Sequence, residues 1–180
     1  MRKIARVLTI LSIPLLVALA PSTAWATSYL DVSVALKMLL VMTDKMASPV
    51  TVGIVYDETN PASQADAASI KSIIESGSET PGVIEVKPVM IPLKALSGLR
   101  NTRMAFLAQG LNASAFDAID RAAGTTGVLT VSTDLECVKS GKCVLGITTR
   151  PSIEIYYNSV AAEAVRVHFA PTFIMLTKQV

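Results

Sequence analysis

The chain has little of what most active sites are built from. It holds one histidine, two cysteines and one tryptophan, and aromatic residues make up 5% of its 180 positions. A lone histidine, His168, excludes the zinc motifs that need two imidazoles. Gly-x-Ser-x-Gly, the P-loop and Gly-x-Gly-x-x-Gly are also missing, which removes sequence support for a serine hydrolase, a nucleotide hydrolase or a dinucleotide oxidoreductase. The carboxylates of Asp117, Asp120, Asp134 and Glu136 are scattered, and their spacing pairs none of them as acid and base. The expectation is a protein with no catalytic residue, no metal and no cofactor, and so not an enzyme.

Charge of one sign is missing too. There are 16 basic and 14 acidic residues. Arg2, Lys3 and Arg6 fall in the first 26 residues, so thirteen basic residues face the same 14 acidic ones in the remainder. A near-neutral chain without a basic cluster offers nothing to a phosphate backbone, and no nucleic-acid partner is expected.

Long hydrophobic runs are scarce. The clearest, Val7–Ala20, follows a basic start (Met1–Arg6) and precedes the small-x-small triplet Ala24-Trp25-Ala26. That is the order of a secretory signal. The run is interrupted by Pro14 and is shorter than the roughly 20 residues of a membrane span. No cysteine follows it closely enough to carry a lipid. The reading is a cleavable signal over residues 1–26, a single domain over 27–180, and residence in the periplasm. The later apolar stretch Val34–Met46 carries Lys37, Asp44 and Lys45 and reads as a core helix.

What is present alternates between helix and strand. Leu30–Met46 has apolar residues at a 3.6 period, with Asp31 or Ser33 as its cap. Val50–Tyr56 is apolar almost throughout, as a buried central strand is. Asn60 and Pro61 supply the cap and first turn of a helix running to Ser76, and Gly77 stops it. Val83–Ile91 is a strand placed near an edge by Pro88, and Leu93–Leu99 a short helical turn. Arg103–Ala108 and Val128–Ser132 are strands separated by a helix over Ser114–Ala123. Cys143–Thr149 and Ser152–Tyr157, joined by Arg150-Pro151, form a hairpin. A helix over Ser159–Val167 and an apolar tail follow. The order predicts an α/β fold: a single three-layer domain, mostly parallel sheet with flanking helices and a C-terminal β-hairpin.

Three constellations carry functional expectations. Cys137 and Cys143 flank a polar segment that can turn, and in an oxidising compartment they form a disulfide worth about 2 kcal/mol by chain entropy. Both a static staple and a redox-sensitive clasp stay open. Met38, Met42 and Met46 form a stripe on one helix face, which suits a core or an adaptable interface. The segment Asp57–Pro61 leaves a strand and opens a helix, where open α/β sheets bind ligands. With Gln109-Gly110 and Thr133-Asp134 at other strand ends, it outlines a pocket whose candidate ligand-binding residues are Asp57, Glu58, Asn60, Gln109 and Asp134.

The residues also resemble the YfiR family of small periplasmic proteins across most of the chain. Val32–Met46 leading into Val50–Val55 is similar to that family's first helix and strand. Gly127–Ser132 resembles its late strand, followed by a variable loop that here holds both cysteines. Ile153–Asn158, Ala161-Ala162 and Val167–Leu176 resemble its closing strand, helix and tail. The family's Trp-Pro pair is reduced here to Pro49. The resemblance implies a regulatory protein that binds the periplasmic domain of a membrane protein, such as a diguanylate cyclase, and so touches cyclic-di-GMP signalling from outside. Interface candidates are then Met38, Met42, Met46, Tyr156 and Tyr157, and a homodimer fits the same reading. A second resemblance runs from Val52 to Asp57 and from Asn60 to Ser63, to a lobe of an ABC-type substrate-binding protein. It implies a small ligand.

Overall fold

The computed structural model describes residues 26–43, 48–77, 84–124 and 126–180. The leader up to residue 25, the helix end at Asp44, Lys45 and Met46, and Val83 lie outside the described residues.

Helix α1 spans Tyr29–Val41. Its cap is Ser28, one turn earlier than the periodicity suggested. The Ser28 hydroxyl accepts from the Asp31 N–H at 3.2 Å, and the Asp31 carboxylate accepts from the Ser28 N–H at 2.7 Å. This reciprocal pair is a capping box, in which Asp31 serves as the third helical residue. Strand β1 (Val50–Tyr56) and helix α2 (Pro61–Glu75) fall where the sequence puts them. Asn60 caps α2, Pro61 fills its first turn, and Gly77 leaves it at φ +74°.

Strand β2 (Val86–Pro92) forms one edge of the sheet, where Pro88 costs no internal ladder bond. A 3-10 segment over Leu93–Asn101 leads to β3 (Met104–Leu107). Helix α3 (Ala113–Ala123) is capped by Asn112 instead of Ser114, whose hydroxyl donates to the same Asn112 oxygen. After β4 (Leu129–Ser132), the stretch expected as a polar turn contains a five-residue helix, α4 (Leu135–Lys139). A helix this short spans little more than one turn, too little for an apolar face to repeat in the sequence.

Strands β5 (Leu145–Thr148) and β6 (Glu154–Tyr157) pair antiparallel as the expected hairpin, with Ile147 opposite Ile155. Helices α5 (Ser159–Ala164) and α6 (Pro171–Ile174) follow, and β7 (Lys178–Gln179) adds in parallel beside β6.

The seven strands lie in the order β2-β1-β3-β4-β5-β6-β7. The first five in that row run parallel. The fold is therefore α/β with a mostly parallel sheet between two helical layers, as expected. Alternation along the strands divides the core. Val52, Ile54, Met104, Phe106, Leu129 and Ile147 pack with α1 and α2. Val55, Ala105 and Leu107 pack on the other face with α3, α4 and the 3-10 segment. Gly146 sits where α4 approaches β5 most closely, since a Cβ there would lie 2.5 Å from Cγ1 of Val138.

Candidate functional site

The strand order reverses between β1 and β3, and the carboxyl ends beside that reversal are where such sheets bind ligands. Here the crevice is closed by the chain itself. Asn60 Oδ1 accepts from the Ala62 N–H at 3.0 Å, and Asn60 Nδ2 donates to the Gly110 carbonyl at 3.0 Å. Asp57 is absorbed locally: its carboxylate takes the Thr59 N–H at 2.8 Å and the Thr59 hydroxyl at 2.7 Å. Those two donors, the hydroxyl foremost, hold the Asp57 carboxyl below the usual carboxylate range. Glu58 faces Lys94 at 3.8 Å, and its main-chain carbonyl takes the Gln64 side chain.

An open cleft of about 180 Å³ lies further along the same sheet edge. It is bounded by the ends of β3, β4 and β5 and by the start of α1, with Thr27, Asp31, Gln109, Thr133, Thr149 and Arg150 among its lining residues. The walls are fixed by long-range bonds. The Thr149 hydroxyl donates to Asp31 Oδ1 at 2.7 Å, tying the end of β5 to the first turn of α1. Gln109 donates through its side-chain amide to the Thr133 hydroxyl. Its backbone N–H donates to Asp66 Oδ2 at 2.8 Å. Asp66 also takes the Thr27 N–H at 2.7 Å and the Thr27 hydroxyl at 2.9 Å. The cleft is thus lined by hydroxyls, the Gln109 side-chain amide, Arg150 and the internally bonded Asp31 carboxylate, drawn from four separate segments.

Of the five ligand-binding candidates, only Gln109 lines this cleft. Asp57, Glu58 and Asn60 stabilise the β1–α2 turn instead. Asp134 caps α4 through the Glu136 N–H at 3.0 Å and borders a second cleft of about 390 Å³ with Asp117 and Lys142. There Lys142 lies 3.0 Å from Asp117 and 3.4 Å from Asp120, and these two carboxylates raise its pKa. Its charged groups already satisfy one another, so the smaller cleft at the strand ends is the better site. Sequence reasoning missed Thr27, Asp31, Thr149 and Arg150. Asp31 looked like a cap and Arg150 like a turn, and nothing local says that both face the end of β5.

The interface candidates are placed differently from expectation. Met38 and Met42 are buried in the core, on the side of α1 that packs inward, while Tyr29, Leu30 and Leu40 of the same helix are exposed. Tyr157 is buried too, its ring edge-on to Phe169 at 5.8 Å. Tyr156 is half-buried; its hydroxyl donates to Glu154 at 2.8 Å, and Lys178 of β7 reaches Glu154 at 2.7 Å. Met38, Met42 and Tyr157 are therefore core residues. His168 is exposed, and its carbonyl takes the Thr43 N–H.

Cys137 and Cys143 are joined in a disulfide with Cα atoms 5.3 Å apart, and both are fully buried. The bond closes the loop from α4 into β5, helped by Cys143 and Lys142 N–H groups donating to the Cys137 carbonyl. Among the described residues, no cluster of three or more His, Cys, Asp or Glu side chains is placed to hold a metal ion. None of the described helices is long and apolar enough to cross a membrane.

No protein-family model matches the chain, and no curated protein matches it either. Solved structures do. One is an ABC domain in complex with L-Trp from Streptococcus pneumoniae, at 10% identity and a TM-score of 0.59, covering 82% of this chain and 59% of that one. Another is a conserved domain protein from Vibrio cholerae O1 biovar El Tor, at 13% identity and a TM-score of 0.61, covering 84% of this chain and 59% of that one. The chain spans about three-fifths of the length of both. At these identities the likeness is one of fold: this chain shares its α/β architecture with an ABC domain and a bacterial conserved domain protein.

Proposed function

We propose that this protein is a non-catalytic binding module that holds a small polar molecule in the cleft at the ends of β3, β4 and β5. The observation that carries the reading is the convergence of Gln109, Thr133, Thr149, Arg150 and the start of α1 on one opening at the carboxyl edge of a parallel sheet. Such edges collect ligands because strand ends and helix starts leave main-chain groups and loop side chains facing outward. The L-Trp bound by one of the fold neighbours supports a ligand of amino-acid type. A cleft of about 180 Å³ is small, and it suits a molecule of a few polar heavy atoms. The hydroxyls of Thr133 and Thr149 and the side-chain amide of Gln109 line it, which suits a polar ligand.

The test is a thermal-shift screen of free amino acids and related zwitterions, repeated with Gln109→Ala. A ligand at a hundred times its Kd stabilises by about 2.7 kcal/mol, enough for a clear rise in Tm. The rise is expected to shrink or vanish in Gln109→Ala. A rise of equal size in the variant, or no rise with any compound, would sink the reading.

A second reading is a periplasmic regulator of the YfiR type that docks on a membrane protein such as a diguanylate cyclase. What favours it is the exposed pair Met175 and Leu176, at 84% and 83%, near the C-terminus. Apolar side chains so exposed suit a partner surface. Retention by membranes, lost in Met175→Ser plus Leu176→Ser, is its expected result; no retention of the unaltered protein counts against it. Repeating the assay with Cys137→Ser plus Cys143→Ser separates a redox clasp, which predicts altered retention, from a staple.

A further inference from the structure

Among the described residues, Asp66 is a buried carboxylate bonded only to neutral donors. It is 5% exposed, and its three hydrogen bonds come from the Thr27 N–H, the Thr27 hydroxyl and the Gln109 N–H. None of the ion pairs among the described residues includes it. Leaving a carboxylate buried with only neutral donors is costly, and chains normally supply a cation. The donor at 2.7 Å is the backbone nitrogen of Thr27, itself 4% exposed, whereas Ala26 before it is exposed.

That nitrogen belongs to the peptide bond following Ala24-Trp25-Ala26, the small-x-small triplet of the leader. We infer that removal of the leader at the Ala26–Thr27 bond creates the missing cation, an α-ammonium on Thr27 that ion-pairs with Asp66. A leader peptidase would add one water across the amide. The hydroxyl goes to the Ala26 carbonyl carbon, and the nitrogen leaves as an amine. Free α-amines bind a further proton near pH 7.7–8.0 on average, so at neutral pH Thr27 carries mostly –NH3+. The group then has three donors and a full charge where the uncut chain has one N–H and none.

The arrangement links processing to the cleft. The Asp66 oxygen that takes the Thr27 hydroxyl also takes the Gln109 N–H. Cleavage also removes Ala26, which borders the opening. The uncut precursor therefore has a weaker anchor for α1 and a narrower cleft. The Thr27–Asp66 ion pair does not depend on what the cleft binds.

The test uses the full chain, exported and purified after processing. N-terminal sequencing is expected to begin at Thr27; another first residue overturns the inference. The unaltered protein is then treated with an α-amine-selective acylating reagent near neutral pH. A buried ammonium reacts only through local opening, so acylation of the native protein is expected to be at least about tenfold slower than in denaturant. Equal rates would overturn it, and this arm needs no variant to fold. In a cycle with Asp66→Asn, acylation in denaturant followed by refolding is expected to lower the Tm of the unaltered protein and leave that of the variant unchanged. Additive losses would show that the amine and Asp66 do not interact.

Discussion

The side-chain amide of Asn60 donates to the Gly110 carbonyl over 3.0 Å, bridging the loops that leave β1 and β3. The same residue caps α2 with its oxygen. Asn60→Asp keeps the cap acceptor but turns the donor into an oxygen facing a carbonyl. It is expected to cost about 1–2 kcal/mol in urea denaturation, the range for a lost hydrogen bond with repulsion added. Asn60→Ala loses both bonds, and the cap adds about 1 kcal/mol to the loss of the Gly110 bond. Wild-type stability in Asn60→Asp would mean that the bridge to Gly110 contributes nothing.

Gly146 has no room for a side chain. A Cβ there would meet Val138 Cγ1 at 2.5 Å and Leu135 Cδ2 at 3.0 Å, so α4 would have to lift from β5. Gly146→Ala is expected to cost about 1–3 kcal/mol as overpacking. Shortening the neighbour should relieve it: the double variant Gly146→Ala, Val138→Ala is expected to lose less than the two single losses added together. Strict additivity in denaturant midpoints would contradict the close approach.

The disulfide between Cys137 and Cys143 is fully enclosed. Replacing both cysteines by serine is expected to cost at least the roughly 2 kcal/mol of loop closure, since two buried hydroxyls also replace sulfur atoms. Burial also predicts slow reduction. Thiol titration with a mild reductant should show no free thiol in the folded protein and rapid release above the unfolding midpoint. Prompt reduction of the folded protein at low temperature would instead favour the redox clasp.

Glu154 accepts from Lys178 at 2.7 Å and from the Tyr156 hydroxyl at 2.8 Å, and Lys178 foremost holds its carboxyl below the usual range. A carboxyl whose folded pKa is depressed favours the folded state above its unfolded value of about 4.3, and that contribution fades as pH falls through the folded value. The group is open to solvent, so the effect is local: release of β7 from β6 in acid. Carbon-detected titration of Glu154 should show a pKa below the free value in the native protein, moving upward in Lys178→Met. An unchanged pKa in that variant would remove the ion pair as the cause.

Much of the architecture was legible because long elements carry their own period. The apolar run Val50–Tyr56 and the Asn60-Pro61 start of α2 fall where pattern and cap chemistry put them. The hairpin is equally plain, because Arg150-Pro151 interrupts two β-rich runs. The five-residue α4 was not, since little more than one turn gives an apolar face no chance to recur. The candidate site was legible at Gln109 and Thr133, which end strands, and illegible at Thr27, Asp31 and Thr149. Those residues meet only because α1 packs beside β5 and α2, a relation no local window contains. The methionine stripe left core and interface open, because spacing alone does not say which face of α1 packs inward; the burial of Met38 and Met42 does.

The contact between Thr149 and Asp31 tests that long-range placement directly. The two are 118 residues apart in sequence and joined by a buried bond of 2.7 Å. Asp31 also takes the Ser28 N–H and hydroxyl, so Thr149 supplies the remaining donor seen on Oδ1. Thr149→Val keeps the shape and removes the hydroxyl. It leaves a buried carboxylate oxygen without its partner, a loss of about 1.5–3 kcal/mol for a bond to a charged acceptor. Thr149→Ser keeps the donor and is expected to cost less than half as much. The readout is the denaturation midpoint together with amide exchange at the first turn of α1, which should accelerate in Thr149→Val alone. If valine and serine destabilise equally and exchange at α1 is unchanged, the wall of the cleft is not held by this bond, and the opening at the end of β5 loses the rigidity that a preorganised binding site requires.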